Sequence, residues 1–428
     1  MNDPVFLREL AARYGTPAYL YDLAAVRAAA RALKADLPPG ARLMYSVKAN
    51  PHPLVIAALC AEGLGAEVSS TGEVVAASGA GCPPEHMIHT GPGKSMREIV
   101  QSLKTGVRTF SVESPTDRAR LAEAAAAADT DCAYVVRLNG PAGSGSGSLR
   151  MTGRPTAFGV DTTDSDALTE LFRPLGPARP VGVHTFFATN VATEDALLSE
   201  FDQALRTVAG VCERTGFTPQ VLDLGGGFPA PFARPGELTR HPRLTDSLTR
   251  MLDEHAAVWR QEDLELMFES GRYLAATAGT LLTQVLDVKR TGDRTFTVLD
   301  AGVNALGGMS GLGRLVRPNV QPHRIGTGRA TGHADRTSRD EECIGETGST
   351  ALVGPLCTPL DVLNGAAALR TPRAGDLFAV PNVGAYGLTA GLIGFLSHPA
   401  PVEIVLDEGE VLSARRLTLR PIEVAPHN

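Results

Sequence analysis

Several features that mark common protein classes are scarce in this chain of 428 residues. Its six cysteines form no CxxC pair, which argues against a structural zinc site and against a disulfide scaffold. No apolar run approaches the roughly 20 residues that cross a bilayer, and the N-terminus MNDPVFLREL lacks a basic-then-apolar export signal. We therefore expect a cytoplasmic protein without a membrane partner.

Positive charge is not in excess either. The net charge is −7, whereas a nucleic-acid-binding protein normally carries a basic surplus, so we expect no nucleic-acid partner. One local exception is residues 311–340, which contain six arginines, two aspartates and no lysine. This segment is either a flexible loop in which arginine promotes solubility or a basic surface for an anionic partner.

The pattern that dominates residues 40–275 is an alternation of short β-rich runs with Ala-rich segments of helical length. The eight runs are RLMYSV, GAEVSS, HMIHTG, VRTFSVES, AYVVRLN, VGVHTFF, QVLDLGG and LELMFES. Eight strands, each followed by a helix, is the number at which a parallel sheet closes into a (β/α)8 TIM barrel. We predict this α/β fold; the alternative is an open, doubly wound sheet with one strand miscounted.

The sequence changes character after residue 275. Runs such as TLLTQVLDVKR, RTFTVLDAG, DLFAVPNVGAYG and PVEIVLDEGEVLSARRL are β-branched, with Gly and Pro between them. They predict a second, C-terminal antiparallel β domain, and TPAYLYD near the N-terminus is a candidate strand of the same sheet. The predicted division is a barrel at 27–275 and a β-sandwich or β-barrel domain formed by 1–26 and 276–428.

Polar residues cluster at the predicted C-terminal ends of the barrel strands, where barrel enzymes place their active sites. These residues are Lys48, Ser70, Gly91, Glu113, Arg137, His184, Gly225, Gly226, Gly227 and Glu269. The three glycines of DLGGGFP follow the seventh strand and suit a phosphate cradle, although a tight turn also needs glycine. Arg272 in ESGR is a second phosphate candidate, or else forms a surface ion pair.

The position of Lys48 suggests that it binds a cofactor covalently. A lysine facing a phosphate site across a barrel mouth can hold an aldehyde cofactor as a Schiff base. Pyridoxal phosphate also needs a carboxylate for its ring nitrogen and a flat group against its ring, for which Glu269 and His184 are the candidates. Taken alone, Glu269 is equally suited to cap the next helix, and His184 to be a hydrogen-bonded core histidine.

Six motifs in this order, YSVKAN, HTFFATN, DLGGGFP, ESGRY, GPLCTPLD and GAYG, resemble the fold-type III pyridoxal-phosphate decarboxylases, the group that includes diaminopimelate and ornithine decarboxylases. The resemblance runs from TPAYLYD to HPAPVEIVL. It implies a barrel with a C-terminal β domain, pyridoxal 5′-phosphate as cofactor, an amino acid substrate, and a homodimer whose active sites lie between subunits.

The resemblance also implies a role for individual residues. Lys48 would be the Schiff-base lysine, His184 would stack on the cofactor ring, and Glu269 would bind the pyridine nitrogen. The phosphate would be held by Gly225, Gly226, Gly227 and Tyr386. The other cofactor-binding residues would be Arg137, Gly271 and Arg272. The catalytic residues would be Lys48, His184 and Cys357, the last reaching in from the partner subunit as a proton donor. Arg272, Thr358 and Tyr386 would contact the substrate, and the sequence adds Arg314, Arg317 and Asp361 as candidate substrate contacts.

Thr358 departs from the family pattern. Family members that act on basic amino acids or diaminopimelate carry an acidic residue there, which pairs with the distal ammonium of the substrate. Without that partner, burial of the substrate ammonium costs roughly several kcal/mol of binding free energy. Such substrates are therefore disfavoured unless Asp361 or Glu342 takes the place of the missing acid. HTFFATN also adds two aromatic rings near the cofactor, which suits an uncharged chain.

GPLCTP, ESGRYL and GAYGL most resemble the aminoacyl-carrier-protein decarboxylases of antibiotic biosynthesis, such as the butirosin enzyme for glutamyl-carrier protein. These act on an acidic amino acid whose distal carboxylate is masked as a thioester. The arginines of residues 311–340 are candidates to contact the acidic carrier or its phosphopantetheine arm. The alternatives are a decarboxylase or racemase of a free amino acid, and a non-catalytic relative that binds a partner.

Overall fold

The computed structural model describes residues 3–140, 149–150, 156–186, 188–256, 264–309, 319–327 and 347–423. The strands in these ranges are β1 (Ala18–Asp22), β2 (Arg42–Ser46), β3 (Gly65–Val68), β4 (Met87–His89), β5 (Thr109–Val112), β6 (Cys132–Asn139), β7 (Leu149–Arg150), β8 (Val160–Asp161), β9 (Ala178–Thr185), β10 (Ala188–Thr189), β11 (Val221–Asp223), β12 (Glu265–Ser270), β13 (Gly279–Thr291), β14 (Arg294–Leu299), β15 (His323–Thr327), β16 (Thr347–Val353), β17 (Val362–Arg370), β18 (Asp376–Pro381), β19 (Val402–Asp407) and β20 (Glu410–Arg416). The α-helices are α1 (Pro4–Tyr14), α2 (Leu23–Asp36), α3 (Pro53–Ala61), α4 (Thr71–Gly79), α5 (Met96–Thr105), α6 (Pro115–Ala127), α7 (Ser165–Leu171), α8 (Glu194–Thr215), α9 (Leu244–Ala256) and α10 (Arg272–Ala275). None of these helices has the length and hydropathy needed to span a bilayer.

The described residues group into two compact units. The barrel unit lies within residues 25–230 and 237–275, and the β unit lies within residues 1–24, 231–236 and 276–428. Residues 231–236 therefore group with the β unit, whereas the division predicted from the sequence placed them in the barrel. The reason is local hydrogen bonding: the Asn382 side chain donates to the carbonyl oxygens of Arg234 (2.7 Å) and Gly236 (3.1 Å).

The barrel is closed, which confirms the predicted fold and rules out the open sheet. Its eight parallel strands run in the order β2, β3, β4, β5, β6, β9, β11 and β12, and β12 pairs back onto β2. All eight runs predicted from the sequence are the strands of this barrel. Each is short and mostly buried, because helices cover the outside and side chains fill the inside.

Capping residues at the strand-to-helix junctions fix where the helices begin. Ser114 caps α6 by accepting a hydrogen bond from the Asp117 N–H (3.1 Å), and Ser95 forms a capping box with Glu98 at the start of α5. These caps lie just beyond the C-terminal strand ends. They hold the loops at that rim and leave its inner face to polar side chains.

An apolar layer fills the barrel below this rim. It consists of Met44, Ile88, Val135 and Met267, which come from β2, β4, β6 and β12 and are at most 3% exposed. A cavity of about 640 Å³ opens below the layer at the N-terminal strand ends, beside the Arg42–Glu265 ion pair. None of the predicted site residues lines this cavity.

The β unit is built on a nine-stranded sheet. Its main order is β17, β16, β14, β13, β1, β19 and β20, with β18 pairing to both β13 and β15. The predicted strand TPAYLYD does join this sheet, as β1. Most pairs are antiparallel as predicted, but β1–β19 and β14–β16 are parallel, so the sheet is mixed. The β1 and β19 strands are far apart in sequence, with the barrel between them. Because no hairpin joins them, they can pair in parallel.

Candidate active site

Lys48 lies in a single 3₁₀ turn directly after β2, at the C-terminal rim of the barrel. Its Nζ atom is 2.6 Å from Oε2 of Glu67, the third residue of β3. The Glu67 side chain is 1% exposed, whereas that of Lys48 is 42% exposed. The amine predicted to bind an aldehyde therefore has a buried anionic partner and still reaches the open rim.

Glu67 is ionised despite its burial. Burial disfavours its charged form, but the charge of Lys48 and hydrogen bonds, among them that from Thr90, outweigh burial and lower the pKa of Glu67 to about 2. Ser69 Oγ donates a further hydrogen bond to this carboxylate at 3.1 Å. Lys48 is consequently held as an ammonium ion, which must lose a proton before its nitrogen can attack an aldehyde.

His184 lies near the end of β9, inside the barrel. Its Nδ1 atom is 2.9 Å from Oγ of Ser111 on β5, and its Nε2 atom is 3.6 Å from Oε1 of Glu269. Burial, and next the positive charge of Arg137, hold the pKa of His184 well below its usual range. The imidazole is therefore neutral at physiological pH, and its ring orientation is fixed by Ser111.

Glu269 of β12 and Asp223 of β11 form a buried pair of carboxyl groups on adjacent strands. Burial raises the pKa of Asp223 to about 7, and burial together with the Asp223 charge raises the pKa of Glu269 well above its usual value. Both pKa values rise because burial and the neighbouring carboxyl groups disfavour the ionised forms of Asp223 and Glu269. A cationic group placed beside Glu269 would stabilise its carboxylate.

The glycine loop after β11 has backbone geometry that excludes other residues. Gly225 and Gly227 have φ angles of +66° and +110°, a region that L side chains rarely adopt. A Cβ atom on Gly226 would overlap the carbonyl oxygen of Glu269. The loop therefore brings its backbone close to Glu269 with no side chain in the way, as a phosphate cradle requires.

Strand pairing connects Lys48 to this loop. The β12 strand lies between β2 and β11, and Glu269 is in register with Met44. A Cβ atom on Gly271 would lie 2.8 Å from the Cβ of Ala49, the residue after Lys48. The predicted amine, carboxylate and glycine cradle therefore share one rim of the barrel.

These residues fit pyridoxal phosphate. The buried carboxyl pair suits the cationic ring nitrogen, the neutral imidazole offers a flat face, and the glycine loop suits the phosphate. The Glu269 Oε1 and His184 Nε2 atoms are buried without a hydrogen-bond partner among the described residues. Such orphaned atoms are costly unless a bound group satisfies them.

Arg137 on β6 is oriented from two sides. Its Nη1 atom donates to Oε1 of Glu113 at 3.0 Å, and its Cζ atom lies 4.9 Å from the centroid of the Phe158 ring. The other oxygen of Glu113 accepts the Gly159 N–H at 2.7 Å. Glu113 thus fixes both the guanidinium and the loop that carries Phe158, which gives Arg137 the rigid position expected beside a cofactor. Arg272, half-buried, begins α10 just after β12.

The remaining predicted residues belong to the β unit or are not described. Cys357 and Thr358 lie between β16 and β17; Cys357 is exposed, whereas Cys60, Cys82, Cys132 and Cys212 are buried or half-buried. Tyr386 is half-buried and has a left-handed φ of +54°, a strained conformation for its residue type. Arg314, Arg317 and Glu342 lie outside the described residues.

Asp361, a predicted substrate contact, is buried between two backbone segments. It is 2% exposed, and its two carboxylate oxygens accept the backbone N–H groups of Val303 and Leu356, each at 2.8 Å. A Cβ atom on Gly302 or Gly354 would overlap this carboxylate. These contacts anchor the loop that carries Cys357, and the substrate contact of Asp361 stays a prediction.

Replacing Asp361 with asparagine is expected to destabilise the fold. An amide has only one acceptor atom for two backbone donors, so the free energy of unfolding should fall by about 1–3 kcal/mol, measured by urea denaturation. Asp287→Asn, at an exposed position of β13, is the matched control. Lost turnover with unchanged stability would instead support a direct contact between Asp361 and the substrate.

Sequence reasoning missed three residues of the site: Glu67, Ser111 and Asp223. Glu67 and Asp223 each interrupt an otherwise apolar strand, GAEV and VLDL, with an acidic residue. A carboxylate in a strand that is buried on both faces needs a partner, which is a usable signal. Ser111 gives no such signal, because a small hydroxyl is common in buried strands and its partner is distant in sequence.

Known proteins resemble this chain over most of its length. Residues 23–276 match the family described as pyridoxal-dependent decarboxylase, pyridoxal binding domain. The L-glutamyl-[BtrI acyl-carrier protein] decarboxylase of Niallia circulans is 29% identical over 414 residues, covering 97% of this chain and 94% of the relative. The diaminopimelate decarboxylase of Zymomonas mobilis is 28% identical over 408 residues, covering 94% and 90%.

A solved structure shares the fold. The diaminopimelate decarboxylase from Helicobacter pylori, complexed with L-lysine, matches with a TM-score of 0.79 and 24% identity over 95% of each chain. At this identity the match concerns the arrangement of strands and helices. It agrees with the closed barrel and with the additional sheet.

Proposed function

This chain belongs to the pyridoxal-dependent decarboxylases, and from that premise we propose that it removes the α-carboxylate of an acidic amino acid held as a thioester on an acyl-carrier protein. Members of the family are pyridoxal-phosphate-dependent carboxy-lyases that act on amino acids. The family fixes the reaction type and the cofactor. The masked substrate is the part that we propose.

Bound pyridoxal phosphate supplies an electron sink conjugated with the substrate Cα. We propose that Lys48 binds the aldehyde carbon, that Glu269 keeps the ring nitrogen protonated, and that His184 packs against the ring. The remaining cofactor contacts in this proposal are Arg137, Gly225, Gly226, Gly227, Gly271, Arg272 and Tyr386. Cys357 of a partner subunit would hold the proton that replaces the departing CO2, because a thiol can be protonated at neutral pH and still release its proton.

The observation that carries the substrate proposal is the absence of a free carboxylate beside Cys357 in the described loop between β16 and β17. Thr358 stands where family members acting on basic amino acids carry an acid. Asp361, the other candidate within this loop, already binds two backbone N–H groups. Among the described residues of this loop, a distal ammonium would therefore have no acid next to Cys357 as its counter-charge, whereas an uncharged thioester would need none.

Two further features support a carrier-bound substrate. The Niallia circulans relative acts, by its name, on a glutamyl group carried by an acyl-carrier protein. Residues 311–340 contain six arginines, among them Arg314 and Arg317, in a chain of net charge −7. Clustered arginine favours association with an acidic partner, and we propose that this segment contacts the carrier or its phosphopantetheine arm.

We also propose a homodimer. Leu360, Leu392, Phe395 and Leu396 of the β unit are between 44% and 76% exposed. Three of them fall within five consecutive residues, and apolar side chains exposed next to one another are typical of surfaces that a second subunit covers. Exposed Cys357 is three residues from Leu360, which suits its proposed role in the partner's site. A sedimentation mass of a single chain would overturn this proposal.

Mass spectrometry of a substrate panel tests the function. The purified holoenzyme is incubated with free glutamate, aspartate, diaminopimelate, lysine and ornithine, and with glutamyl and aspartyl thioesters of an acyl-carrier protein. We expect loss of CO2 from a carrier-bound acidic amino acid, with kcat/KM at least about a hundredfold above that of any free amino acid, which corresponds to roughly 2.7 kcal/mol of transition-state binding.

Thr358→Asp is the matched variant for this panel. A buried carboxylate beside an uncharged thioester should lower kcat/KM for the carrier-bound substrate about tenfold or more; Thr358→Ser keeps the hydroxyl and should not. Efficient turnover of free diaminopimelate or lysine by the unmodified protein would contradict the proposal. The Zymomonas mobilis relative is the reason that these two substrates belong in the panel.

A further inference from the structure

The carboxyl pair and the imidazole at the barrel rim have the composition of a metal site. We propose that the cofactor-free protein binds one divalent cation of the zinc class through His184, Asp223 and Glu269, and that this cation and pyridoxal phosphate exclude one another. The competition rests on the proposed contact of Glu269 with the cofactor. The metal site itself rests only on the geometry of the three side chains.

The three ligand atoms are grouped closely enough for one ion, and one of their distances matches a tetrahedral edge. One ligand atom from each of the three residues lies within 4.8 Å of the other two. The His184 Nε2 and Glu269 Oε1 atoms are 3.6 Å apart. Two ligands that are each about 2.1 Å from a tetrahedral zinc ion lie about 3.4 Å apart, so this edge needs almost no adjustment.

The ligand atoms are also unsatisfied. His184 Nε2, Asp223 Oδ2 and Glu269 Oε1 are buried, and none has a hydrogen-bond partner among the residues that the structure describes. The three residues are at most 3% exposed. Bulk solvent therefore does not reach these atoms, and an ion that accepts all three lone pairs would compensate them.

Each of two ligands is already oriented by a second contact. Ser111 lies 2.9 Å from Nδ1 of His184, and the Gly225 N–H donates to Oδ1 of Asp223 at 2.8 Å. With a cation on Nε2, Nδ1 carries the proton and donates it to Ser111. Such outer contacts are usual at protein metal sites, because they fix the ring and the carboxylate in the binding orientation.

The ligand types select the kind of ion. One imidazole and two carboxylates form a set that zinc accepts, with water in the fourth position, whereas magnesium and calcium prefer oxygen ligands alone. Arg137 places a positive charge near the site, but its guanidinium is paired with Glu113 at 3.0 Å. A divalent cation beside two carboxyl groups and a paired arginine leaves little net charge in the buried region.

Cobalt, which replaces zinc and absorbs visible light when tetrahedral, provides the test. The full chain is stripped of cofactor with hydroxylamine, dialysed and titrated with Co²⁺, and pyridoxal phosphate loading is then followed by its absorbance. We expect one equivalent of Co²⁺ with tetrahedral absorption, and a slower loading of pyridoxal phosphate in proportion to bound Co²⁺. The holoenzyme should bind no cobalt at this site.

Variants separate this site from adventitious binding. Asp223→Asn should weaken cobalt binding about a hundredfold or more, and Ser111→Ala, which keeps all three ligands, by about tenfold, the usual scale of an outer contact. Asp202→Asn is the control, because Asp202 and His255 form a similar pair outside the barrel, with nitrogen and oxygen 3.0 Å apart. It should leave the cobalt spectrum unchanged.

Two results would overturn the inference. Equal cobalt affinity in the wild type, Asp223→Asn and Ser111→Ala would remove the metal site. Tight cobalt binding with unchanged cofactor loading would remove the competition and the proposed contact of Glu269 with the ring nitrogen. Neither result depends on turnover of a carrier-bound substrate, so the proposed substrate is tested separately.

Discussion

Lys48→Arg is expected to abolish the visible absorbance of bound pyridoxal phosphate and to lower the decarboxylation rate about 10⁴-fold, the scale of losing a residue that bonds covalently during the reaction. A guanidinium stays protonated in proteins and does not attack an aldehyde. It still supplies the positive charge that faces Glu67. The absorbance spectrum of the purified protein and its turnover of the substrate panel measure both effects.

Arginine is preferable to alanine at this position for a physical reason. Alanine would leave the Glu67 carboxylate buried without its cation, at a cost below the roughly 3–5 kcal/mol of a fully buried pair because Lys48 is 42% exposed. Lost activity in Lys48→Ala would then reflect unfolding as much as chemistry. Lys104→Arg, at an exposed position of α5, is the matched control and should change neither spectrum nor rate. If Lys48→Arg keeps the cofactor band, another amine holds the aldehyde.

The barrel was predictable because its strands are buried on both faces. Such strands read as short, nearly continuous apolar runs, and the Ala-rich segments between them have helical spacing. The order of the strands follows from the same pattern, since each βα unit places its next strand beside the last. Closure from β12 back to β2 follows once the number of strands is eight.

The mixed sheet of the β unit was not predictable in the same way. Its β1 strand lies between β13 and β19, more than 250 residues away in sequence. Local patterns indicate a strand at TPAYLYD, but the direction of its partners depends on contacts that no local pattern contains. The same limit explains residues 231–236, which Asn382 binds through two backbone carbonyls.

The candidate site was predictable where a residue type is unusual for its position. Lys48 at a strand end and the glycines after β11 are such cases, and both lie at the rim of the barrel. Glu67 was identified as a residue of the site only through its ion pair with Lys48 in the structure. For Asp361 the sequence shows only an acid near Cys357, whereas the fold adds two backbone N–H donors that no local pattern indicates.

Glu269→Gln is expected to lower kcat about 10²–10³-fold, the range for removal of one preorganised electrostatic group. A neutral amide does not keep the pyridine nitrogen protonated, so the cofactor becomes a weaker electron sink. Substrate binding should change less, because this carboxyl is proposed to contact the ring nitrogen. Steady-state kinetics of the wild type and of Glu269→Gln measure the change in kcat and the change in KM separately.

A second measurement on the cofactor-free protein separates electrostatics from simple misfolding. The pKa of Glu269 is raised in the folded state, so between its unfolded value, about 4.3, and its folded value the unfolded chain binds fewer protons. Stability therefore falls as pH rises through this window. Glu269→Gln should flatten this fall, whereas Glu265→Gln, at the other end of β12, should not. An unchanged slope in Glu269→Gln would show that the buried carboxyl is not the group under electrostatic stress.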